Sequence, residues 1–528
     1  MSASLPAVGT RLSLNASLGT VRYVGPVDGT QGVWLGVEWD DPARGKHDGK
    51  RYFTCILPHA TPASFIRPTA KGLSYGRSFL AALAEKYIDA SASHAKEVLT
   101  LGSSQGLIQV EAVGLDRVRS KLSDLSRLRE VSLDGEGIAW ADPAPTILET
   151  CPNIQGLDLS LSLLPSWPAL ASLTSQLPFL ARLALNSSRL SLDPVSPPPS
   201  SHSPPGPAPP LDKAFPTLTE LQLNATLTSW PTLLALLPSL PRLHSLELGY
   251  NHIPSLPSPP TTAPHPSLHL LNLDTNDLTA LPVELGVIFP RLDRLVLAAN
   301  KIASIQKREK AQGGLEGIRH LSLSNNPIND WPSIDNLTTW FPALEGLAIR
   351  EIPLLDNPET GAYTRQFAIA KIPTLTSLDG APITPKDRLD AELFYLSYLS
   401  QHVPPAARTA WGRWDELVEK HGAPSAPTHK PTAASHETLS SKLIQIILHL
   451  PPSSPSSPPT PTPLRILPTM PLRTFRLRIL KLIPPPKPPA DQLRLYVRDA
   501  ELDVASDGGK EVGWWLEEGA EVVVKIDG

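Results

Sequence analysis

Glycines, aromatic rings and a lysine crowd one short N-terminal stretch in a pattern suited to binding. Gly19-Thr-Val-Arg-Tyr-Val-Gly25, Gly32-Val-Trp-Leu-Gly36-Val-Glu-Trp-Asp40 and Gly45-Lys-His-Asp-Gly49 alternate glycine with aromatic and β-branched residues. Such alternation describes short strands closed by tight turns, where a residue without Cβ accepts φ > 0. The result would be a small twisted barrel. Missing side chains also let another backbone approach closely, so the barrel should carry a glycine-lined groove. Trp34, Trp39, Tyr52 and Phe53 are too many large rings for so short a stretch to bury. Some are expected to line that groove, with Lys46 adding positive charge. The plainer alternative is a turn-rich barrel that binds nothing.

Catalytic signatures are missing from the sequence. It holds no phosphate-cradling Gly-x-x-x-x-Gly-Lys-Ser/Thr, no His-Glu-x-x-His and no Cys-x-x-Cys. Gly102-Ser-Ser-Gln-Gly106 does read Gly-x-Ser-x-Gly, but a nucleophile elbow needs a strand, a sharp turn and then a helix. Leu107-Ile-Gln-Val-Glu-Ala-Val113 follows and reads as another strand, so a hairpin turn is expected there. We therefore expect no enzyme, no cofactor and no metal site.

Bulk composition narrows the class further. The 528 residues should form about three or four domains, and 60 prolines predict long inserted loops. A net charge of −4 does not favour nucleic acid. Cys55 and Cys151 cannot build a disulfide framework, which points to a reducing compartment. No basic and then apolar leader opens the chain, and the apolar run Leu233–Leu240 is too short to span a bilayer. Cytoplasm is the expected location. The sequons at Asn15, Asn186, Asn224 and Asn336 are accordingly expected to be structural or chance.

The elements around these groups begin with a repeat. Leu243-x-x-Leu246-x-Leu248-x-x-Asn251-x-Ile253 recurs at Leu292–Ile302 and Ile318–Ile328. The first leucine of each Leu-x-Leu falls at 221, 246, 271, 295, 321 and 347, a spacing of 24 to 26, with weaker copies at 131, 157 and 183. This is the period of a leucine-rich-repeat solenoid, one short parallel strand per copy. Ser191–Leu211 is a proline-rich insertion expected to loop out. Asn251, Asn276, Asn300 and Asn326 should form an amide ladder in the turns leaving the strands, with Ser162, Ser188 and Thr226 as partial substitutes. Asp158, Gln222, Glu247, Asn272, Val296 and Ser322 should face the concave side, and Gln222, Glu247 and Asn272 are candidate partner contacts. Thr384-Pro385 should start a helix whose Leu389, Leu393, Leu396 and Leu399 cover the last repeat.

A third pattern follows a polar linker. Lys442–Leu450 reads as a strand, Pro451–Pro463 as a Ser/Pro insertion too poor in apolar residues to pack, and Leu464–Leu467 as a second strand. A helical segment (Leu472, Phe475, Leu477, Ile479, Leu480, Leu482) precedes strands at Leu493–Val497 and Ala520–Ile526. This succession resembles a ubiquitin-like β-grasp fold. One glycine directly follows the last strand instead of a flexible Gly-Gly, so a docking module is expected and not a conjugated tag. Arg473, Arg476, Arg478 and Lys481 either face an acidic partner or form a solvated helix face.

The glycine-rich stretch resembles a CAP-Gly domain, with Gly45-Lys-His-Asp-Gly49 similar to its signature loop, which in most members carries Asn where His47 stands. Members bind acidic C-terminal tails ending in an aromatic residue, notably that of α-tubulin. The resemblance assigns Trp34, Gly36, Trp39, Gly45, Lys46, His47, Asp48, Gly49 and Phe53 to the tail groove. Backbone N–H groups of the loop would form a nest for the terminal carboxylate. Members usually place several more residues before the Tyr-Phe pair, whereas here Lys50-Arg51-Tyr52-Phe53 follows at once and shortens one wall. The ordered trio resembles the tubulin-specific chaperone E family: CAP-Gly domain 1–70, connecting segment 71–125, α/β leucine-rich solenoid with cap 126–400, linker 401–437 and α+β ubiquitin-like domain 438–528. That resemblance implies binding of α-tubulin, and work with tubulin cofactors B, C and D and a small GTPase on assembly or disassembly of the αβ-tubulin heterodimer. A CAP-Gly microtubule adaptor and a scaffold delivering tubulin to the proteasome are the alternatives.

Overall fold

The computed structural model describes residues 5–57, 59–89, 125–198, 208–257, 263–308, 315–424, 443–451, 460–483, 488–489, 492–497, 500–502, 511–517 and 519–526. The Gly102–Gly106 motif and the strand expected after it lie outside these residues. The chain forms two compact units, Met1–Ser425 and Ala426–Gly528.

The first unit opens with a five-stranded antiparallel sheet. Its strands are β1 (Arg11–Leu14), β2 (Ser17–Pro26), β3 (Val33–Trp39), β4 (Ala63–Ile66) and β5 (Leu73–Ser74), in the order β4-β3-β2-β1-β5. Period-two alternation sends Leu35, Val37 and Trp39 inward beside Leu12, Leu14 and Val21. Arg11 is fully buried, which requires a partner. Its guanidinium forks onto Asp40 and also donates to Thr20 Oγ1 at 2.9 Å.

The chain then runs into a parallel sheet whose register follows the leucine markers. Val131, Leu157, Leu183, Leu221, Leu246, Leu271, Leu295, Leu321, Leu347 and Leu378 pair in succession. Leu183 pairs directly with Leu221, so the insertion between them leaves the stack unbroken. The asparagine ladder forms as expected. Asn276 Oδ1 accepts from Asn251 N (3.1 Å) and Ile253 N (3.0 Å), while its Nδ2 donates to Leu248 O (2.9 Å) and Leu273 O (3.1 Å). One amide thus satisfies backbone groups of two consecutive repeats. Ser162 and Ser188 join through their hydroxyls at 3.1 Å.

Both ends of the solenoid are capped. Phe79, Ala82 and Leu83, from a stretch expected to be a connector, belong to the solenoid core. At the other end, Thr384 and Asp387 close a capping box on the helix Pro385–His402. Its inner face is Ala391, Glu392, Tyr395, Leu396 and Leu399. Leu389 and Leu393 are each 45 % exposed, which corrects the expected apolar stripe. Arg388 turns inward in their place, donating to Ile369 O at 2.9 Å.

The second unit is a five-stranded sheet with a helix, Leu472–Leu482, packed on it. Leu472, Phe475 and Ile479 meet Ile446, Leu448, Leu495 and Val522. Thr460–Pro463, expected to loop out, instead begin the strand Thr460–Ile466, paired to Leu450 through Ile447. That strand lies at the sheet edge, where prolines cost little because one side needs no donor. Arg476 donates to Leu493 O at 3.0 Å, whereas Arg473, Arg478 and Lys481 are exposed.

Candidate peptide-binding groove

The signature loop is built by a short chain of local devices. Asp41 caps the 3-10 turn Pro42–Arg44 by accepting from Ala43 N at 3.0 Å. Gly45 follows against the neighbouring backbone, where a Cβ would lie 1.9 Å from Thr61 O. Lys46 N and His47 N both donate to Ala63 O (2.7 and 3.1 Å), and Ala63 N returns a bond to His47 O at 2.9 Å. Gly49 N donates to His47 Nδ1 at 3.1 Å, and Lys50 N to Asp48 Oδ1 at 3.3 Å.

Those bonds correct the expected nest. Its N–H groups at Lys46, His47, Gly49 and Lys50 are engaged within the barrel. They also account for His47. Its Nδ1 accepts from the N–H two residues on, the bond an asparagine side chain makes in an Asx turn. Burial holds the imidazole below its ordinary value and keeps Nδ1 free to accept.

The shortened wall has a structural consequence. Tyr52 N and Phe53 N donate to Gly49 O (2.8 and 3.0 Å), turning the chain so that Phe53 folds between two glycines. A Cβ on Gly36 would lie 2.3 Å from Phe53 Cε1, and one on Gly49 2.6 Å from Phe53 Cε2. No other residue type fits either position while the ring stays there. Phe53 meets Phe65 edge-on at 6.0 Å between centroids, His47 stacks on Phe65 at 4.8 Å, and Tyr23 and Tyr52 complete the cluster.

Charge surrounds this aromatic floor. Lys46 is exposed and forms no ion pair among the described residues. Lys50 pairs with Asp48 at 3.1 Å, a bond that holds the Asp48 carboxyl below its usual range, and Arg51 pairs with Asp28. Trp34 donates to Thr30 Oγ1 at 2.7 Å, and the Arg67 guanidinium lies 3.7 Å above its ring. Burial pushes the Cys55 thiol up to about 11, which keeps it protonated near neutral pH.

Gly36, the loop 45–49 and Phe53 therefore come together, with Trp34 two residues from Gly36 on the same strand face. Trp39 does not join them. It is fully buried, with Arg44 stacked 3.7 Å over its ring, so it supports the groove from within. The alternation Leu35-x-Val37-x-Trp39 already carried that signal. Tyr23, Phe65 and Arg67 were missed, although Phe65 sits on a strand next to Ala63 and is betrayed by the same period.

On the solenoid, Gln222, Glu247 and Asn272 pair in adjacent strands and form one row. Asn186 Nδ2 donates to Gln222 Oε1 (3.0 Å) and Asn224 Nδ2 to Glu247 Oε2 (2.8 Å). Two sequon asparagines thus hold concave side chains in place. Burial, with Glu247 nearby, raises the Asp274 carboxyl above its usual range.

Residues 8–70 match the CAP-Gly domain family. Tubulin-specific chaperone E of Danio rerio is 33% identical over 459 residues, 82% of this chain and 84% of that protein. The Homo sapiens protein of the same name is 31% identical over 465 residues, covering 83% and 84%. The chain belongs to the tubulin-specific chaperone E family. Tubulin-folding cofactor E of Arabidopsis thaliana is similar at 30% identity, covering 74% of this chain and 73% of its own. Among the described residues no helix is long and apolar enough to cross a membrane.

Proposed function

We propose that this chain is a cytoplasmic tubulin-folding cofactor that holds α-tubulin at two places. The groove formed by Trp34, Gly36, Gly45–Gly49 and Phe53 takes the acidic, aromatic-ended tail, and the row Gln222, Glu247 and Asn272 contacts the folded body. The observation that carries this reading is Phe53 clamped between Gly36 and Gly49 in the loop that carries the exposed Lys46, which has no ion pair among the described residues. It offers an aromatic floor and a cation to an acidic tail. Family membership supports the choice of tubulin as client.

The mechanism runs on differential binding. A binder that prefers one state of the α-subunit shifts its equilibrium by the difference in affinity and by nothing more. Two weak contacts on one client reinforce each other, because the second becomes intramolecular. Cofactors B, C and D and a small GTPase are the proposed co-workers in assembling or separating the αβ heterodimer. The C-terminal unit, a β-grasp ubiquitin-like module in this reading, docks one of them.

Titration calorimetry with a peptide ending in Glu-Glu-Tyr tests the groove. Lys46→Glu should weaken binding by about 1–2 kcal/mol, roughly 5- to 30-fold, because one attraction becomes a repulsion at an exposed site. The loss should shrink as salt rises. Trp34→Ala should also weaken it. Parent-like affinity in both variants would reject the groove assignment.

A further inference from the structure

Barrel and solenoid meet through an unusually short join. β5 ends at Ser74, and the next strand, β6 (Arg77–Ser78), already pairs in parallel with Ile138–Trp140 of the solenoid's first turn. Only Tyr75 and Gly76 lie between. Tyr75 packs against the barrel core. Gly76 has φ +84°, and a Cβ there would lie 2.3 Å from Gly137 O and 2.8 Å from Ala139 Cβ. The position is thus closed to other residues and pressed onto the solenoid.

The following residues are fastened just as firmly. Arg77 N donates to Gly137 O at 3.0 Å, and its side chain donates to Glu136 O at 2.8 Å and Glu136 Oε2 at 3.0 Å. Leu80 N donates to Asp142 Oδ2 at 2.7 Å, while Phe79, Ala82 and Leu83 enter the solenoid core. A second contact lies to the side. Gly9 abuts Val195, where a Cβ would come within 3.0 Å of Cγ2. The half-buried Arg189, which follows the third repeat's strand, donates to Ala225 O within the solenoid.

From the two-residue join and the second contact beside it, we infer that barrel and solenoid form one rigid binding body. Groove and concave row are then presented to a single client at fixed separation and angle. This rests on the two-site reading above. A flexible tether lets both sites reach many client shapes at effective concentrations up to about millimolar. A rigid join favours the one shape that matches both sites, since no orienting entropy remains to be lost. The join thus acts as a specificity element, and Gly76 is its positioning residue.

The test uses the full chain with twelve Gly/Ser residues inserted between Tyr75 and Gly76. Spin labels at Ala43→Cys and Val287→Cys, both exposed, on a Cys55→Ser background with Cys151 buried, report the separation of the two parts. The unaltered join should give one narrow distance distribution, and the insertion a broad one. The insertion should leave the Glu-Glu-Tyr peptide affinity unchanged while weakening αβ-tubulin binding by about tenfold or more. A broad distribution in the unaltered chain overturns the inference whatever tubulin does. So does undiminished tubulin affinity in the insertion variant. A narrow distribution with no peptide binding upholds the rigid body and rejects the groove reading.

Discussion

Gly36→Ala tests the groove with the smallest change available, one methyl group. That methyl would sit 2.3 Å from Phe53 Cε1 and 3.0 Å from both Phe53 Cδ1 and Tyr23 Cβ. Carbon atoms need about 3.5 Å, so the ring must retreat by about 1.2 Å. It has nowhere to go, because Gly49 backs its other edge and Phe65 stands across its plane. Overpacking of this kind costs about 1–3 kcal/mol, and expelling the ring forfeits an aromatic contact worth about 0.5–1.5 kcal/mol. We expect the barrel to be destabilised by about 1–3 kcal/mol and the Glu-Glu-Tyr peptide to bind about 5- to 30-fold more weakly. Calorimetric titration reads the second quantity, and denaturant unfolding followed by barrel tryptophan fluorescence reads the first. Gly29→Ala is the control, since a Cβ there meets nothing within 4 Å. Its φ of +74° adds about 1 kcal/mol of backbone strain without touching the groove. Adding Phe53→Ala to Gly36→Ala should recover stability, because the clash disappears, yet leave binding weak, because the floor is gone. A Gly36→Ala protein as stable and as tight-binding as its parent would show that Phe53 is not clamped as described.

Two further expectations follow from local geometry. His47 has a folded-state pKa depressed below 6.5 by burial, so below pH 6.5 the unfolded chain binds the proton more readily than the folded one. Stability of the loop should therefore fall as pH drops through 6.5, and protonation also ends acceptance from Gly49 N. Protection against hydrogen exchange at residues 45–53, with the intrinsic exchange rate divided out, should fall in the parent as pH drops below about 6.5. In His47→Asn that protection should not change with pH over the same range, and equal behaviour of the two proteins would refute the Asx-type role. Asn276→Ala strands the N–H groups of Asn251 and Ile253, while Leu248 O and Leu273 O keep a donor in Asn251 and Asn300, so it should cost about 2–4 kcal/mol in urea unfolding. A cost below about 1 kcal/mol would mean water replaces the amide.

How legible each part was depended on the distance between the residues that decide it. The repeat was plain because each copy touches only its neighbours, so leucine spacing alone sets strand register across the 183-to-221 jump. The asparagine ladder was equally plain, since its partners lie one repeat away. The cap helix began where Thr384-Pro385 put it, yet only Leu396 and Leu399 of the expected stripe reached the buried face, beside Glu392 and Tyr395, while Leu389 and Leu393 stay exposed. A helix in sequence has several apolar faces, and only the surface it lands on chooses among them. Thr460–Pro463 shows the same limit in a strand, because composition cannot reveal that a segment will lie at an edge.

Glycine placement and ring content by themselves marked the stretch that forms the antiparallel barrel and its candidate groove, and the repeat period alone gave the register of the parallel strands. Tertiary structure alone decided which groups in that groove are free to act. Ala63 O, sixteen residues beyond His47, occupies the N–H groups of Lys46 and His47 that the loop would have turned toward an anion. Phe53 closes on Gly36 from across the barrel, and Trp39 goes to the core. A hydrogen-bonding group satisfied by a distant partner is no longer available to a ligand, and local sequence carries no record of that pairing.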